Sequence, residues 1–224
     1  MWAEHFEDPA LMANRDAETT RRKLERVAAG LPLTKSSCVL DVGPGDGALF
    51  RLIAGRVRRC CGVDPSEHAV ARLRGLFRDL SDVEFVLGSA TAIPYGNAEF
   101  DVVVVNSVLQ MLPTKAEIGE SLGELVRVCK AGGTIFVGEL PFRDETGRGV
   151  VAHLARKLRE SGPRNLARLL YHVYALPVLR REPIVLYPAR NTHVSSEELH
   201  SMCRALGVSV ESWRHRAQPH HQRR

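Results

Sequence analysis

Aromatic side chains are scarce in this 224-residue chain, at 6%. No run approaches the ~20 apolar residues that a membrane-spanning helix needs. Residues 1–9 carry Glu4, Glu7 and Asp8 and lack the basic-then-apolar order of a secretory leader, so the chain is expected to be cytoplasmic. The cysteines, Cys38, Cys60, Cys61, Cys129 and Cys203, are odd in number and form no C-x-x-C pair. That pattern argues against a zinc site, and no metal is expected. They are read as small buried residues of a reducing compartment. The G-x-G-x-x-G turn of a pyrophosphate site is also missing. What remains is ordinary for a globular chain, 44% hydrophobic and 25% charged, and long enough for one well-buried domain.

The most informative stretch is 39–47, Val-Leu-Asp-Val-Gly-Pro-Gly-Asp-Gly. An apolar run enters it, and Leu49, Phe50, Leu52 and Ile53 follow at helical spacing. This reads as a buried strand, a tight turn and a helix start. Gly43 and Gly45 can take positive φ and let a ligand come close to the backbone, and the helix start offers free N–H groups. Pro44 removes one donor, however, and Asp46 places an acid where phosphates would sit. The turn therefore favours a cofactor without phosphates over a nicotinamide dinucleotide.

Further strands are expected at 60–64, 83–87, 101–106 and 134–139, with helices at 11–29, 46–55, 66–80 and 115–129. The four-valine run before Asn106 suits a strand buried on both faces. Alternation of this kind predicts an α/β fold: a Rossmann-like, doubly wound sheet of six or seven mostly parallel strands, helices on both faces, and a helical insertion after the fifth strand. The insertion is expected to hold helices at 145–160 and 164–176. Ser195 with Glu198 predicts a capped helix to Leu206, followed by a strand at 208–213. The expected parts are a helical cap at 1–34, a cofactor-binding core at 35–140, the insertion at 141–190, a closing helix and strand at 191–217, and a disordered tail at 218–224.

Ligands in such sheets bind at the carboxyl ends of the strands, near the point where strand order reverses. Asp64 ends the second strand, where an acid can accept from both ribose hydroxyls or else cap the next helix. Ser89 and Ala90 follow the third strand, within reach of an adenine edge. Asn106 and Ser107 follow the fourth, facing a reacting group.

These segments together resemble the class I S-adenosylmethionine-dependent methyltransferases, in particular the broad small-molecule group often called type 11. The resemblance runs from 39–47 through Gly62-Val-Asp-Pro-Ser66, Gly88-Ser-Ala-Thr-Ala-Ile-Pro-Tyr95 and Phe100-Asp-Val-Val-Val-Val-Asn-Ser-Val-Leu109 to Glu124-Leu-Val-Arg-Val-Cys-Lys-Ala-Gly-Gly133. It implies S-adenosylmethionine as cofactor. Asp41, Gly43, Pro44 and Gly45 would border its methionine part, Asp64 and Pro65 its ribose, Ser89 and Ala90 its adenine, and Asn106 and Ser107 the floor beneath the sulfonium. Ser89 stands where the family usually has an acid, which implies a loss of about 1 kcal/mol in cofactor binding. Gln110 and Met111 stand where many relatives carry histidines, and Ala131 replaces a usual proline.

The resemblance implies methyl transfer by in-line displacement, with a general base required only when the acceptor holds its proton. His193 and His153 are the candidate bases, with His172 behind them. Residues 141–190 hold ten Lys/Arg against four Asp/Glu, whereas 35–140 hold eleven against thirteen. A basic segment beside the site points to an anionic small molecule or carrier-linked acceptor, and an apolar face in 164–181 would also suit peripheral membrane contact. Nucleic acid is disfavoured, because the basic segment has few aromatics and no Asn-Pro-Pro-Tyr-like motif follows the fourth strand. An RNA methyltransferase and a non-catalytic binding module of the same fold are the alternatives.

Overall fold

The computed structural model describes residues 17–138, 192 and 194–211. The order is α1 (Ala17–Gly30), β1 (Cys38–Val42), α2 (Ala48–Ile53), β2 (Arg59–Asp64), α3 (Glu67–Leu76), β3 (Val83–Leu87), β4 (Phe100–Asn106), a 3-10 turn (Leu109–Met111), α4 (Lys115–Val128), β5 (Cys129–Gly138) and α5 (Ser196–Ala205). The five strands lie in the order β3-β2-β1-β4-β5, and every pair is parallel. The chain moves outward from β1 to β3, then returns to the other side of β1. Strand order therefore reverses between β1 and β4.

The apolar character of the strands comes from burial on both faces. Leu40, Val42, Cys61, Val63, Val103 and Val105 pack with Ile118, Leu122 and Leu125 of α4 and Leu199 of α5. Val39, Cys60, Val102 and Val104 pack with residues of α1, α2 and α3. The two faces are thus covered separately, as a doubly wound sheet requires. Among the described residues, no helix is long and apolar enough to cross a membrane, and no cluster of His, Cys, Asp and Glu has the makings of a metal site.

Local signals explain the helix starts. Ser66 caps α3 by accepting from the Ala69 amide, and Thr114 caps α4 through the Glu117 amide. Ser195 and Glu198 form the complete reciprocal capping box on α5. The first strand–turn–helix unit folds as its sequence predicts.

Several expectations are corrected. Five of the six or seven expected strands lie among the described residues. Residues 208–211 of the expected last strand carry no regular structure; Val208 is half-buried and the three residues after it are exposed. Residues 212 and 213 lie outside the described part. β5 begins at Cys129 rather than 134, because Cys129 pairs with Phe100 before an irregularity between Phe100 and Val102. Gly133 permits it, since a Cβ there would sit 2.9 Å from the Asp101 carbonyl. α3 stops at Leu76 rather than 80 because Phe77 drops into the core, with its ring centroid 5.5 Å from Phe85 and 5.8 Å from Phe50. The predicted helices of the insertion, the start of the first helix before Ala17 and the tail lie outside the described residues.

Candidate active site

The pleat and the register place the candidate side chains. Asp41 shares the face of Val39, and by the same alternation Asp64 shares the face of Cys60, and Asn106 that of Val104. Asp41 lies level with Gly62 and Val104. Asp64 and Asn106 are the last residues of their strands, on either side of it. The three polar side chains thus gather at the carboxyl end of the sheet, on one face, at the reversal point.

Between them runs the glycine turn. Gly43, Gly45 and Gly47 have φ of 75°, 58° and 77°, in the left-handed region that residues with a Cβ avoid. At Gly43 a Cβ would also lie 2.3 Å from Val108, so the turn packs against the residues after β4. At Gly45 a Cβ would meet nothing within 4 Å; the middle of the turn borders open space. The Gly43 amide donates to the Val63 carbonyl (2.8 Å) and the Gly47 amide to Pro44 (2.9 Å), fixing both ends. Asp46 accepts from the Ala48 amide (3.1 Å), so the acid serves the helix start instead of facing an anion.

Asp41 is 5% exposed and receives no hydrogen bond from the described residues. Burial, and after it the nearby Asp64 carboxylate, push its pKa up to about 7. A nearly buried carboxyl without a donor is costly, and it suits a site completed by a cationic or donor-bearing ligand. Asp64 is also raised by burial, with the Ser66 amide and Arg72 opposing the shift. It accepts that amide on Oδ1 (2.9 Å), while the cap itself is Ser66. The helix-capping alternative for Asp64 is therefore not its arrangement.

Gly88, after β3, donates to the Asp64 carbonyl (3.1 Å), so the Ser89-Ala90 corner sits beside Asp64. The Ser89 and Thr91 hydroxyls share a hydrogen bond (3.0 Å), and Ala90 is buried. On the opposite side, Ser107 has φ of 62°, a strained conformation for a serine, and its amide donates to Gly138 (3.0 Å). A Cβ at Gly138 would fall 2.2 Å from Asn106 Oδ1, so that glycine leaves the space Asn106 occupies.

A small cofactor with a cationic end fits this arrangement better than a phosphorylated one. Acids line both sides of the turn, and its centre is open. Comparison with known families bears on this arrangement. A model of the methyltransferase domain matches residues 40–137, a little under half of the chain.

The chain is 29% identical over 167 residues to 27-O-demethylrifamycin SV methyltransferase of Amycolatopsis mediterranei, covering 65% of this chain and 60% of that protein. It is 26% identical over 140 residues to malonyl-[acyl-carrier protein] O-methyltransferase of Marinomonas sp., covering 62% and 51%. The chain thus spans about half to three fifths of these relatives' length. The fold is shared with the YcgJ protein of Bacillus subtilis, at a TM-score of 0.59 and 19% identity over 83% of this chain and 67% of that one.

All ten residues expected at the cofactor lie in the described part, and Asp41, the glycine turn and Asp64 come together there. His153, His172 and His193 lie outside it. The chain on either side of His193 is anchored: the Thr192 amide donates to Gln110 (3.0 Å), its hydroxyl to Leu112, and Val194 is fully buried. Arg72 escaped the sequence reading. From the second turn of α3, its Nη2 donates to the Gly45 carbonyl (2.8 Å). No local pattern announces a contact across 27 positions. The conserving clue would have been helical spacing, six residues after the Ser66 cap, on the side facing the turn.

Proposed function

We propose that the chain transfers a methyl group from S-adenosylmethionine to an anionic acceptor, a carboxylate on a small molecule or on a carrier-linked acyl group. The observation that carries the cofactor half is the pair Asp41 and Asp64 flanking an open, left-handed glycine turn at the reversal point. In this arrangement Asp64 would accept from the ribose hydroxyls through the oxygen not given to Ser66. Asp41 would face the amino end of the cofactor, and a cationic group there satisfies its missing donor. Pro65 would stand with Asp64 at the ribose, Ser89 and Ala90 would border the base, and Asn106 and Ser107 the floor. When bound, the cofactor supplies an electrophilic methyl on a sulfonium; the protein's part is to hold the acceptor in line with it and exclude water.

The acceptor half rests on charge and on relatives. The basic excess of 141–190 would attract and orient an anion. One relative is named for methylating a malonyl group on an acyl-carrier protein, which presents a free carboxylate. A carboxylate arrives without its proton, so no general base is needed. For a hydroxyl acceptor, His193 and then His153 are the candidate bases.

The test is transfer of a labelled methyl group to four acceptors in parallel: a malonyl-carrier thioester, its acetyl counterpart, a simple phenol and an RNA hairpin. The expected result is a base-labile methyl ester on the malonyl carrier and none on the acetyl carrier. Label on RNA or phenol alone contradicts an anionic carboxylate acceptor, and label on none of them favours a binding module.

A further inference from the structure

The glycine turn lacks side chains with which to hold its own shape. Its two ends are tied by main-chain bonds, but Gly45, at its centre, receives a single side-chain bond, from Arg72 Nη2 to its carbonyl at 2.8 Å. That arginine is attached in an unusual way. Its Nε is buried and has no hydrogen-bond partner. An arginine selected for the stability of α3 alone would not leave a donor buried and unpaired, because that costs free energy. Val70 and Leu73 already anchor α3 in the core, so the helix does not need this bond to dock. The same guanidinium lies near Asp64, and its charge favours the ionised carboxylate.

We infer that Arg72 is a positioning residue for the cofactor, holding the centre of the glycine turn against α3 and linking it to Asp64. It acts through Gly45, whose φ of 58° leaves the backbone free to relax if the carbonyl is released. The guanidinium thereby holds the turn after β1 and sets its charge near the acid ending β2. An acid-lined site also needs a cation of its own: with Asp41 and Asp64 on one face, Arg72 offsets one of the two charges. This inference rests on S-adenosylmethionine as cofactor.

The test compares wild type, Arg72→Met and Arg72→Lys in the full chain, with S-adenosylhomocysteine as the probe. Calorimetric affinity, the melting temperature of the free protein and hydrogen exchange of the Gly47 amide are read for each. Gly47 reports on the turn because its amide bonds within it, to Pro44. Arg72→Met is expected to lose about tenfold or more in affinity. Its Gly47 amide is expected to exchange faster, with a melting temperature close to wild type. Arg72→Lys keeps a charge and one donor and is expected to recover part of the affinity. Wild-type affinity and exchange in Arg72→Met would overturn the role. So would a loss of affinity matched by a general loss of stability in both variants, which marks a structural brace. If wild type itself fails to bind the probe, the cofactor assignment falls along with the inference; binding by wild type with an unaffected Arg72→Met sinks the inference alone.

Discussion

Asp41 shows how one residue links stability to function. Burial raises its pKa from 3.8 to about 7 in the folded chain. The folded state then holds the proton more tightly than the unfolded state between these values. Stability of the cofactor-free protein is therefore expected to fall as pH rises from about 4 to about 7 and to level off above. Asp41→Asn removes the ionisation. Urea unfolding at pH 8 should find the variant more stable than wild type by roughly 2–4 kcal/mol, with little difference at pH 4. The same variant should bind S-adenosylhomocysteine more weakly, since it cannot offer a charge to the amino end. Parallel pH dependences in the two proteins would show that Asp41 is not strained. Asp41 was legible in the sequence because it precedes a glycine turn. Arg72 was not, because its contact is made by the packing of α3, which no short pattern encodes.

At the scale of elements, α4 holds the loop that carries Ser89 and Ala90. Arg127 donates to the carbonyls of Ile93 (2.9 Å) and Tyr95 (2.8 Å) and to Asn97 (2.9 Å), and Glu124 accepts the Ile93 amide (2.8 Å). The Glu124-x-x-Arg127 spacing that marked the family is thus a clamp placed one helical turn apart, with an ion pair inside it. Arg127→Ala frees three acceptors and is expected to cost roughly 1–3 kcal/mol in thermal unfolding, with weaker S-adenosylhomocysteine binding. A loop unchanged by spectroscopy, with full affinity, would remove the clamp from the account. On the other face, Phe50, Phe77 and Phe85 fill the space beneath the turn. A Cβ at Gly47 would meet the Phe77 ring at 2.6 Å, at a φ of 77°. Gly47→Ala should destabilise by roughly 2–4 kcal/mol in urea unfolding, combining left-handed strain with overpacking. The start of α5 was readable because Ser195 and Glu198 bond within three residues of each other, as Ser66 with Ala69 and Thr114 with Glu117 do at α3 and α4. The early start of β5 was not, because it depends on a distant partner, Phe100.

For the whole molecule, the sheet separates two tasks between its ends. At the amino end, Asp101 accepts from the Cys38 amide (2.7 Å) and from Lys130 (2.7 Å), pinning β1, β4 and β5 together. At the carboxyl end the strands stop short, and the turn, Asp64 and Asn106 meet where strand order reverses. Parallel order and layers followed from the alternation of apolar strands with helices, and so did the position of the site. The closing strand expected at 208–213 is irregular over its described part, 208–211, because β-rich composition does not show whether an edge is there to receive it. The central claim is that Asp64 and the glycine turn form the S-adenosylmethionine site. The most direct measurement is a calorimetric titration of S-adenosylhomocysteine into wild type and Asp64→Ala, with the melting temperature of each. The expected result is one site in wild type and at least a tenfold weaker one in the variant, with melting little changed. Equal affinities in the two proteins, or no binding by wild type, would contradict it.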